Sequence, residues 1–245
     1  MGPARVETRS AFYALEPGGW RDYFTLLHAP YTLWHLSYVA IGAGLAAEFS
    51  GRRLAAALAA FFLGMGIGAH ALDELNGRPL GTRIPSAVLV AVAAASIAAA
   101  VAIGIASAFA WTLWLFPFVA FGGFIVVAYN LELFGGLFHG DLWFALTWGA
   151  FPLVAAYFVV AEELRAEAVL AAAFAALQSY AQRVLSTPVR YLRRQVRSVT
   201  GTVELHEGAP ETVTVETLLR APERALQILA AATVALGVAL VVLRL

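Results

Sequence analysis

The residues best suited to chemistry lie together in one short stretch of the chain. His70, Asp73 and Glu74 are spaced i, i+3 and i+4, so on a helix their side chains share one face. Carboxylates beside an imidazole can hold a divalent metal ion or transfer protons. Ionisable residues at the end of an apolar segment usually mark a functional site. We therefore predict that these three side chains are catalytic.

Polar and cationic residues follow this triplet directly. Asn76, Arg78 and Arg83 come within ten residues of Asp73, and arginine binds phosphate oxygens through two parallel hydrogen bonds. The pattern predicts that Asn76, Arg78 and Arg83 bind a phosphorylated substrate. A charged helix cap, in which Asp73 or Glu74 pairs with Arg78, is the alternative explanation.

A second polar cluster occupies a glycine-rich segment and contains Glu132, His139 and Asp141, just after Asn130. Imidazole and carboxylate ligands without a thiolate suit Mg²⁺, Mn²⁺, Fe²⁺ or Zn²⁺. We predict that this segment meets the first cluster, that both bind one divalent metal ion, and that Asn130 contacts substrate. A polar loop at the membrane surface is the alternative. The predicted metal ligands are His70, Asp73, Glu74, Glu132, His139 and Asp141.

An aromatic stripe precedes both clusters. Its members are Tyr31, Trp34, His35 and Tyr38. Their spacing of i, i+3, i+4 and i+7 puts them on one face of a helix. A wall of aromatic rings suits an isoprenoid chain or a carbocation, so we predict that these four residues bind substrate. Ordinary packing between helices is the alternative. His28 and His206 are assigned no role.

The elements that carry these residues are long apolar blocks. Hydrophobic residues make up 61% and charged residues 13% of the chain. The fraction of charged residues is about half that of a soluble domain. A helix needs about 20 apolar residues to cross a bilayer. The sequence therefore predicts an all-α integral membrane protein with about seven transmembrane helices. The predicted spans are 27–49, 54–72, 84–109, 110–130, 142–161, 168–185 and 225–243.

These spans divide the chain into four parts. We predict an N-terminal cytoplasmic or interfacial segment over 1–26, a six-helix membrane core over 27–185, a cytoplasmic polar insert over 186–224 and a C-terminal transmembrane helix over 225–245. Thr187-Pro188 is predicted to break the sixth helix. Alternating apolar and polar residues over 199–207 and 212–216 predict a short hairpin within the insert.

The arginines predict the orientation. With a cytoplasmic N-terminus, twelve arginines fall in cytoplasmic segments and four outside, as the positive-inside rule requires. The chain is then expected in a prokaryotic-type cytoplasmic membrane, with both polar clusters on the cytoplasmic side. The cytoplasmic set is Arg5, Arg9, Arg21, Arg78, Arg83, Arg183, Arg190, Arg193, Arg194, Arg197, Arg220 and Arg224, and the outer set is Arg52, Arg53, Arg165 and Arg244.

Composition excludes several classes of site. The chain has no cysteine and no lysine, so it holds no disulfide, thiolate-bound metal, covalently attached haem or retinal Schiff base. The formal net charge is +0, which gives no indication of a nucleic-acid partner. Membrane lipid is the expected partner, and the oligomeric state stays open.

Several of these motifs resemble the UbiA superfamily of intramembrane prenyltransferases, and the likeness covers roughly residues 20–160. The segments that carry it are Leu27-His28-Ala29-Pro30 with 41–46, His70-x-x-Asp73 with Arg78-Pro79-Leu80 and Thr82-Arg83-Ile84, and 129–152. The resemblance implies an all-helical bundle that binds a prenyl diphosphate through Mg²⁺ on its cytoplasmic side. It also implies transfer of the prenyl group to an aromatic or lipid acceptor.

One departure from that family keeps other functions open. Near the end of the sixth span, where the family has a second aspartate motif, this chain has Gln178, Gln182 and Arg183 and no carboxylate. The alternative enzyme uses a histidine and carboxylate site for Fe, Mn or Zn and acts on a lipid or quinone. A protein that binds lipid or serves as a scaffold without catalysis is the third possibility.

Overall fold

Helices make up most of this fold. The computed structural model describes residues 9–245, and the chain is 73% helix and 3% strand. In the described part, six helices are long and apolar enough to cross a membrane. The predicted class of all-helical membrane protein is thereby confirmed. Residues 1–8, with Arg5 and the beginning of the predicted segment 1–26, lie outside the described residues.

Eight helices and one hairpin follow one another along residues 9–245. The helices are α1 Trp20–Leu26, α2 Ala29–Leu45, α3 Gly51–Leu75, α4 Ser86–Ala110, α5 Leu113–Asn130, α6 Asp141–Ala161, α7 Ala166–Arg194 and α8 Val215–Val242. A single helical turn, Leu133–Gly136, separates α5 from α6. Strands β1 Gly201–Val203 and β2 Glu211–Val213 pair antiparallel between α7 and α8, which confirms the predicted hairpin.

Helix α2 occupies the centre of the bundle. It packs along both α8 and α6, and its side chains Trp34, Tyr38 and Val39 have no solvent exposure. With 17 residues, it occupies the first predicted span, and the six longer helices occupy the other predicted spans. The buried polar side chains of α2, such as His35, therefore lie among residues of the neighbouring helices.

Gly42 allows α2 and α6 to make backbone contact. A Cβ at this position would lie 2.2 Å from the carbonyl oxygen of Leu153, and no side-chain rotation can relieve that overlap. We expect Gly42→Ala to lower the free energy of unfolding by about 3 kcal/mol, measured by thermal unfolding in detergent. Gly51→Ala is the control, because a Cβ there meets nothing within 4 Å. Equal unfolding temperatures for the two variants would contradict this packing.

Helix α7 is longer than the sequence predicts. The predicted break at Thr187-Pro188 is wrong, because the helix continues to Arg194. Pro188 cannot donate a backbone hydrogen bond, but the following residue, Val189, is buried against Val215 and Leu219 of α8. This packing keeps the last two turns helical. As a result, the arginines at the end of α7 lie on the same helix as the sixth predicted span.

Helix α8 also begins earlier than predicted. It begins at Val215, ten residues before the predicted span, and the predicted strand residues 215 and 216 are helical. Thr214 caps the helix: its side chain accepts a hydrogen bond from the backbone of Thr217, whose hydroxyl in turn accepts one from the backbone of Thr214. This reciprocal capping satisfies two backbone donors. The helix therefore begins directly after the hairpin.

Two of the long helices contain π-helical segments. In α3 the segment is Phe62–Ala69, directly before His70, and in α6 it is Ala145–Ala150, which contains Trp148. π-helical turns are rare and occur frequently at functional sites. Both segments border the same internal space between α2, α3 and α6, so the fold itself points to that space.

Candidate functional site

A polar cavity of about 340 Å³ lies at one end of the bundle. Helices α2, α3, α5, α6 and α7 surround it, and residues 10–13 form part of its wall. Ionisable groups among membrane helices are costly and mark functional sites. The polar lining residues are Ser10, Tyr13, His28, Tyr31, His35, His70, Asp73, Tyr129, Asn130, His139, Gln182, Arg183, Ser186, Arg190 and Arg194.

The two polar clusters of the sequence meet at this cavity. The side-chain nitrogen of Asn76 donates to the carbonyl oxygen of Asn130 at 3.2 Å and to Oε1 of Glu132 at 3.4 Å, so the ends of α3 and α5 are joined. Six of the predicted site residues line the cavity. They are Tyr31, His35, His70, Asp73, Asn130 and His139.

Glu74 has a different function from its neighbour Asp73. It is fully buried, and its Oε2 accepts a hydrogen bond from the backbone of Leu80 at 2.9 Å. Its Oε1 accepts from the backbone and the hydroxyl of Thr82, both at 2.8 Å. This position does not support the predicted roles of Glu74 as a catalytic residue and a metal ligand. Its carboxylate holds the loop that connects α3 to α4.

We expect Glu74→Gln to destabilise the protein without a direct effect on ligand binding. The amide nitrogen would replace an oxygen that faces a backbone donor, so one charge-assisted hydrogen bond would become a clash between donors. The expected loss is about 3 kcal/mol, read as a lower unfolding temperature in detergent. Glu163→Gln is the control, because Glu163 is half-exposed and forms only a surface ion pair with Arg165. Unchanged stability of Glu74→Gln would rule out this anchoring role.

The two arginines predicted to bind phosphate also belong to that loop. Arg78 donates from its guanidinium to the carbonyl oxygens of Thr82 and Ile84 and to the hydroxyl of Ser86. Arg83 has an exposed side chain, and its backbone N–H donates to the buried carboxylate of Asp22 at 2.9 Å. Neither side chain lines the cavity, so the predicted roles of Arg78 and Arg83 in substrate binding are not supported by their positions.

The six predicted metal ligands do not form one site. Glu132 contacts Asn76, and Asp141 is exposed and forms an ion pair with Arg183 at 2.8 Å. Across residues 9–245, no group of three histidine, cysteine, aspartate or glutamate side chains is placed to hold a metal ion. The described residues therefore do not bring the six predicted ligands together, and local partners hold three of their carboxylates.

The aromatic stripe of α2 is divided between cavity and core. Tyr31 and His35 line the cavity, whereas Trp34 and Tyr38 do not. The indole N–H of Trp34 donates to the hydroxyl of Tyr38 at 2.7 Å, and the Ser179 hydroxyl on α7 donates to the same oxygen at 3.2 Å. Trp34 and Tyr38 therefore lie in the core, where Tyr38 joins α2 to α7, and their positions do not support the predicted contact with substrate.

Arginines of α7 form the cationic side of the cavity. Arg183, Arg190 and Arg194 line it, and their spacing of i, i+7 and i+11 places them on one helix face. This spacing could have revealed the shared face from the sequence. It was missed because the predicted helix break at Thr187-Pro188 separates Arg183 from the other two arginines. Asp73 is the only carboxylate among the lining residues of the described chain. With neutral histidines, the three lining arginines and the one lining aspartate sum to a net charge of +2, and Arg183 among them is also paired with Asp141 at 2.8 Å.

Three buried polar atoms at this cavity have no hydrogen-bond partner among the described residues. They are Nε2 of His28, the hydroxyl of Tyr129 and Oε1 of Gln182. A buried polar group without a hydrogen-bond partner lowers the stability of the fold by about 1–3 kcal/mol, and native proteins contain few such groups. Their concentration at one cavity is expected of a ligand site that the protein alone does not complete.

The backbone at His28 supports the same conclusion. Its φ of 46° lies in the left-handed region, where strain in a non-glycine residue frequently marks a functional site. The ring of His28 lies against that of His70, with centroids 4.1 Å apart and the ring planes tilted by 33°. His28 is a cavity residue that the sequence analysis missed, since its neighbours in the sequence indicate only a helix start.

Residues 9–15 cover part of the cavity. The Ser10 hydroxyl donates to the carbonyl oxygen of Leu80 at 3.1 Å, and Arg194 donates to the carbonyl oxygen of Ser10 at 3.4 Å. Burial raises the pKa of the Tyr13 hydroxyl far above its ordinary value. Tyr13 therefore stays protonated throughout the neutral and moderately alkaline range and can donate a hydrogen bond into the cavity.

This arrangement is suited to an anionic group. Guanidinium groups bind the oxygens of phosphates and carboxylates with charge-assisted hydrogen bonds, and they bind more strongly where water is partly excluded. No protein-family model matches the chain, and neither a curated protein nor a solved structure matches it. The site is therefore interpreted from its own geometry.

Proposed function

We propose that this chain is a membrane enzyme that binds an isoprenoid diphosphate and transfers its prenyl group to a lipid or aromatic acceptor. The observation that carries the proposal is the polar cavity with Arg183, Arg190 and Arg194 on one wall. Three guanidinium groups on one helix face provide the charge and the hydrogen bonds that a diphosphate needs. The resemblance to intramembrane prenyltransferases at His70-x-x-Asp73 supports the same substrate.

An apolar groove beside the cavity supports an amphiphilic substrate. The groove has a volume of about 130 Å³ and is lined by residues of α3, α4, α5 and α6. Met65 and Trp148 line both the groove and the polar cavity. A ligand with a diphosphate in the cavity and an isoprenoid chain in the groove would occupy both spaces at once.

Mg²⁺ fits this cavity only together with the substrate. In proteins Mg²⁺ is commonly held by one or two carboxylates and substrate phosphates, and Asp73 is the lining carboxylate that the described chain offers. Mg²⁺ bound in this way would neutralise charge on the departing diphosphate. Fe, Mn or Zn in the alternative enzyme needs several protein ligands, and the described residues form no such group.

The cavity is proposed to open toward the cytoplasm. The arginine distribution supports this orientation in a prokaryotic-type cytoplasmic membrane, with both polar clusters on the cytoplasmic side and the first predicted span, α2, as a seventh crossing. A reporter fused after Arg53 should then be external, and one fused after Gly77 should be internal. The reverse pattern would reject both the orientation and cytoplasmic access to the cavity.

Direct binding of farnesyl diphosphate tests the proposed function. The purified protein in lipid nanodiscs is titrated with farnesyl diphosphate, inorganic diphosphate and farnesol, each with Mg²⁺ and with EDTA. We expect farnesyl diphosphate to bind at least about tenfold more tightly than inorganic diphosphate, because burial of a few methylene groups contributes this much. Farnesol should bind more weakly than farnesyl diphosphate. Equal affinities for farnesol and farnesyl diphosphate would overturn the proposal.

A further inference from the structure

Three histidines of the cavity are held in the same tautomer. The Nδ1 atom of His35 lies 2.9 Å from the carbonyl oxygen of Trp148, that of His70 lies 3.0 Å from the carbonyl oxygen of Gly66, and that of His139 lies 2.9 Å from that of Tyr129. A carbonyl oxygen only accepts, so each Nδ1 carries the hydrogen. In the neutral ring, Nε2 is then an acceptor with a free lone pair.

These three acceptors are available to a ligand in the cavity. In the described residues, each ring makes its hydrogen bond to the protein through Nδ1. All three rings line the cavity. Nearby Oε1 of Gln182 is buried without a donor. The cavity therefore contains a set of acceptors in addition to the arginine donors.

The three rings are positioned by aromatic neighbours. Measured between ring centroids, His70 lies 4.1 Å from His28, His139 lies 4.6 Å from Tyr129, and His35 lies 5.8 Å from Phe144. Together with the Nδ1 hydrogen bonds, these contacts leave each ring little freedom to rotate. Pre-positioned acceptors bind a donor group at low entropic cost.

The donors and the acceptors come from different walls. The arginines all belong to α7, whereas the three histidines belong to α2, α3 and the segment between α5 and α6. A fully ionised diphosphate satisfies arginines but has no hydrogen to donate to Nε2. A second group that carries a hydrogen would complete these acceptors. An ammonium group is disfavoured, because the lining has a net charge of +2 and like charges repel at short range.

We infer that His35, His70 and His139 form a subsite for a neutral hydroxyl group, the polar end of an alcohol that acts as the second substrate. This inference rests on the proposed function, since the arginine wall is assigned to the diphosphate. The hydroxyl hydrogen is accepted by the Nε2 atoms, in the same cavity as the arginines that are assigned to the diphosphate. The histidines are positioning residues for this substrate.

Chemical labelling of the histidines tests the subsite without a prenyl donor. Diethyl pyrocarbonate modifies accessible, unprotonated imidazole nitrogens, and mass spectrometry reads each site separately. The protein in nanodiscs with inorganic diphosphate is labelled alone, with 1-decanol and with 1-methoxydecane, which lacks the hydroxyl hydrogen. We expect decanol near four times its dissociation constant to slow labelling of His70 and His139 about fivefold, and methoxydecane to slow it little. His206 lies exposed in the hairpin segment and should be labelled equally in all samples.

Two substitutions at His70 refine the test. His70→Gln keeps an amide oxygen near the position of Nε2, whereas His70→Asn removes the acceptor and can still donate to the carbonyl oxygen of Gly66. Decanol should protect His139 in His70→Gln and protect it several-fold less in His70→Asn. Equal protection by decanol and methoxydecane, or no protection by either, would overturn the inference and leave water as the occupant. Farnesyl diphosphate binding is measured on the same protein, so loss of the alcohol subsite alone is distinguishable from failure of the proposed function.

Discussion

Simultaneous replacement of Arg190 and Arg194 by glutamine is expected to abolish measurable binding of farnesyl diphosphate. Each guanidinium is expected to contribute about 1.5–3 kcal/mol through charge-assisted hydrogen bonds, or about 10- to 150-fold in affinity. The two residues share one ligand, so their effects need not be additive, and we expect a combined loss of at least about 100-fold. Titration of the protein in nanodiscs by intrinsic tryptophan fluorescence measures the change.

Arg220→Gln is the matched control for this double variant. Arg220 is exposed on α8 and does not line the cavity, so its loss should leave the affinity within about twofold. Arg190→Lys should be intermediate, because lysine keeps the charge but loses the forked hydrogen bonds. If the double variant and the Arg220 control bind farnesyl diphosphate with equal affinity, Arg190 and Arg194 do not contribute to the binding site. Equal thermal unfolding of all variants shows that the effect is on binding.

Asp73→Asn is expected to lower product formation by at least about 100-fold without unfolding the protein. Asp73 is the carboxylate that lines the cavity in the described chain, so an amide removes the one anionic ligand available to Mg²⁺. The added affinity that Mg²⁺ gives for farnesyl diphosphate should disappear. In EDTA the affinity should rise, because the net charge of the lining changes from +2 to +3. Product formation and titrations with Mg²⁺ and with EDTA measure these effects.

Glu48→Gln is the control for this carboxylate. Glu48 is exposed after the end of α2, far along that helix from Tyr31, and the same change of charge there should affect neither turnover nor Mg²⁺ dependence. An Asp73→Asn variant with normal turnover would reject the prenyltransferase proposal. A variant that loses Mg²⁺-dependent binding but gains none in EDTA would show that Asp73 does not share the cavity with the anion.

The sequence contains enough information to locate the helices. In a bilayer every backbone donor and acceptor must be satisfied within the segment, so long apolar blocks can only be helices. The block boundaries of α3, α4, α5 and α6 follow the structure within a few residues. The i, i+3 spacing of His70 and Asp73 also predicts their shared face correctly, and both line the cavity.

The roles of adjacent residues could not be predicted in the same way. Asp73 lines the cavity, but Glu74 turns into the loop after α3 and accepts three hydrogen bonds there. The two carboxylates have the same local signal. Which of them faces the cavity depends on where Leu80 and Thr82 return to α3, and that path is set by contacts distant along the chain.

The sequence by itself determines the helical membrane class, the approximate spans and the two polar clusters, because hydrophobicity and helix period act over short distances. The tertiary structure decides which polar residues meet. Packing of Val189 against α8 carries α7 through Pro188 and brings Arg190 and Arg194 to the cavity. The orientation of His35 likewise depends on a carbonyl oxygen that lies 113 residues away along the chain. Long-range packing, which no local pattern encodes, therefore makes the site.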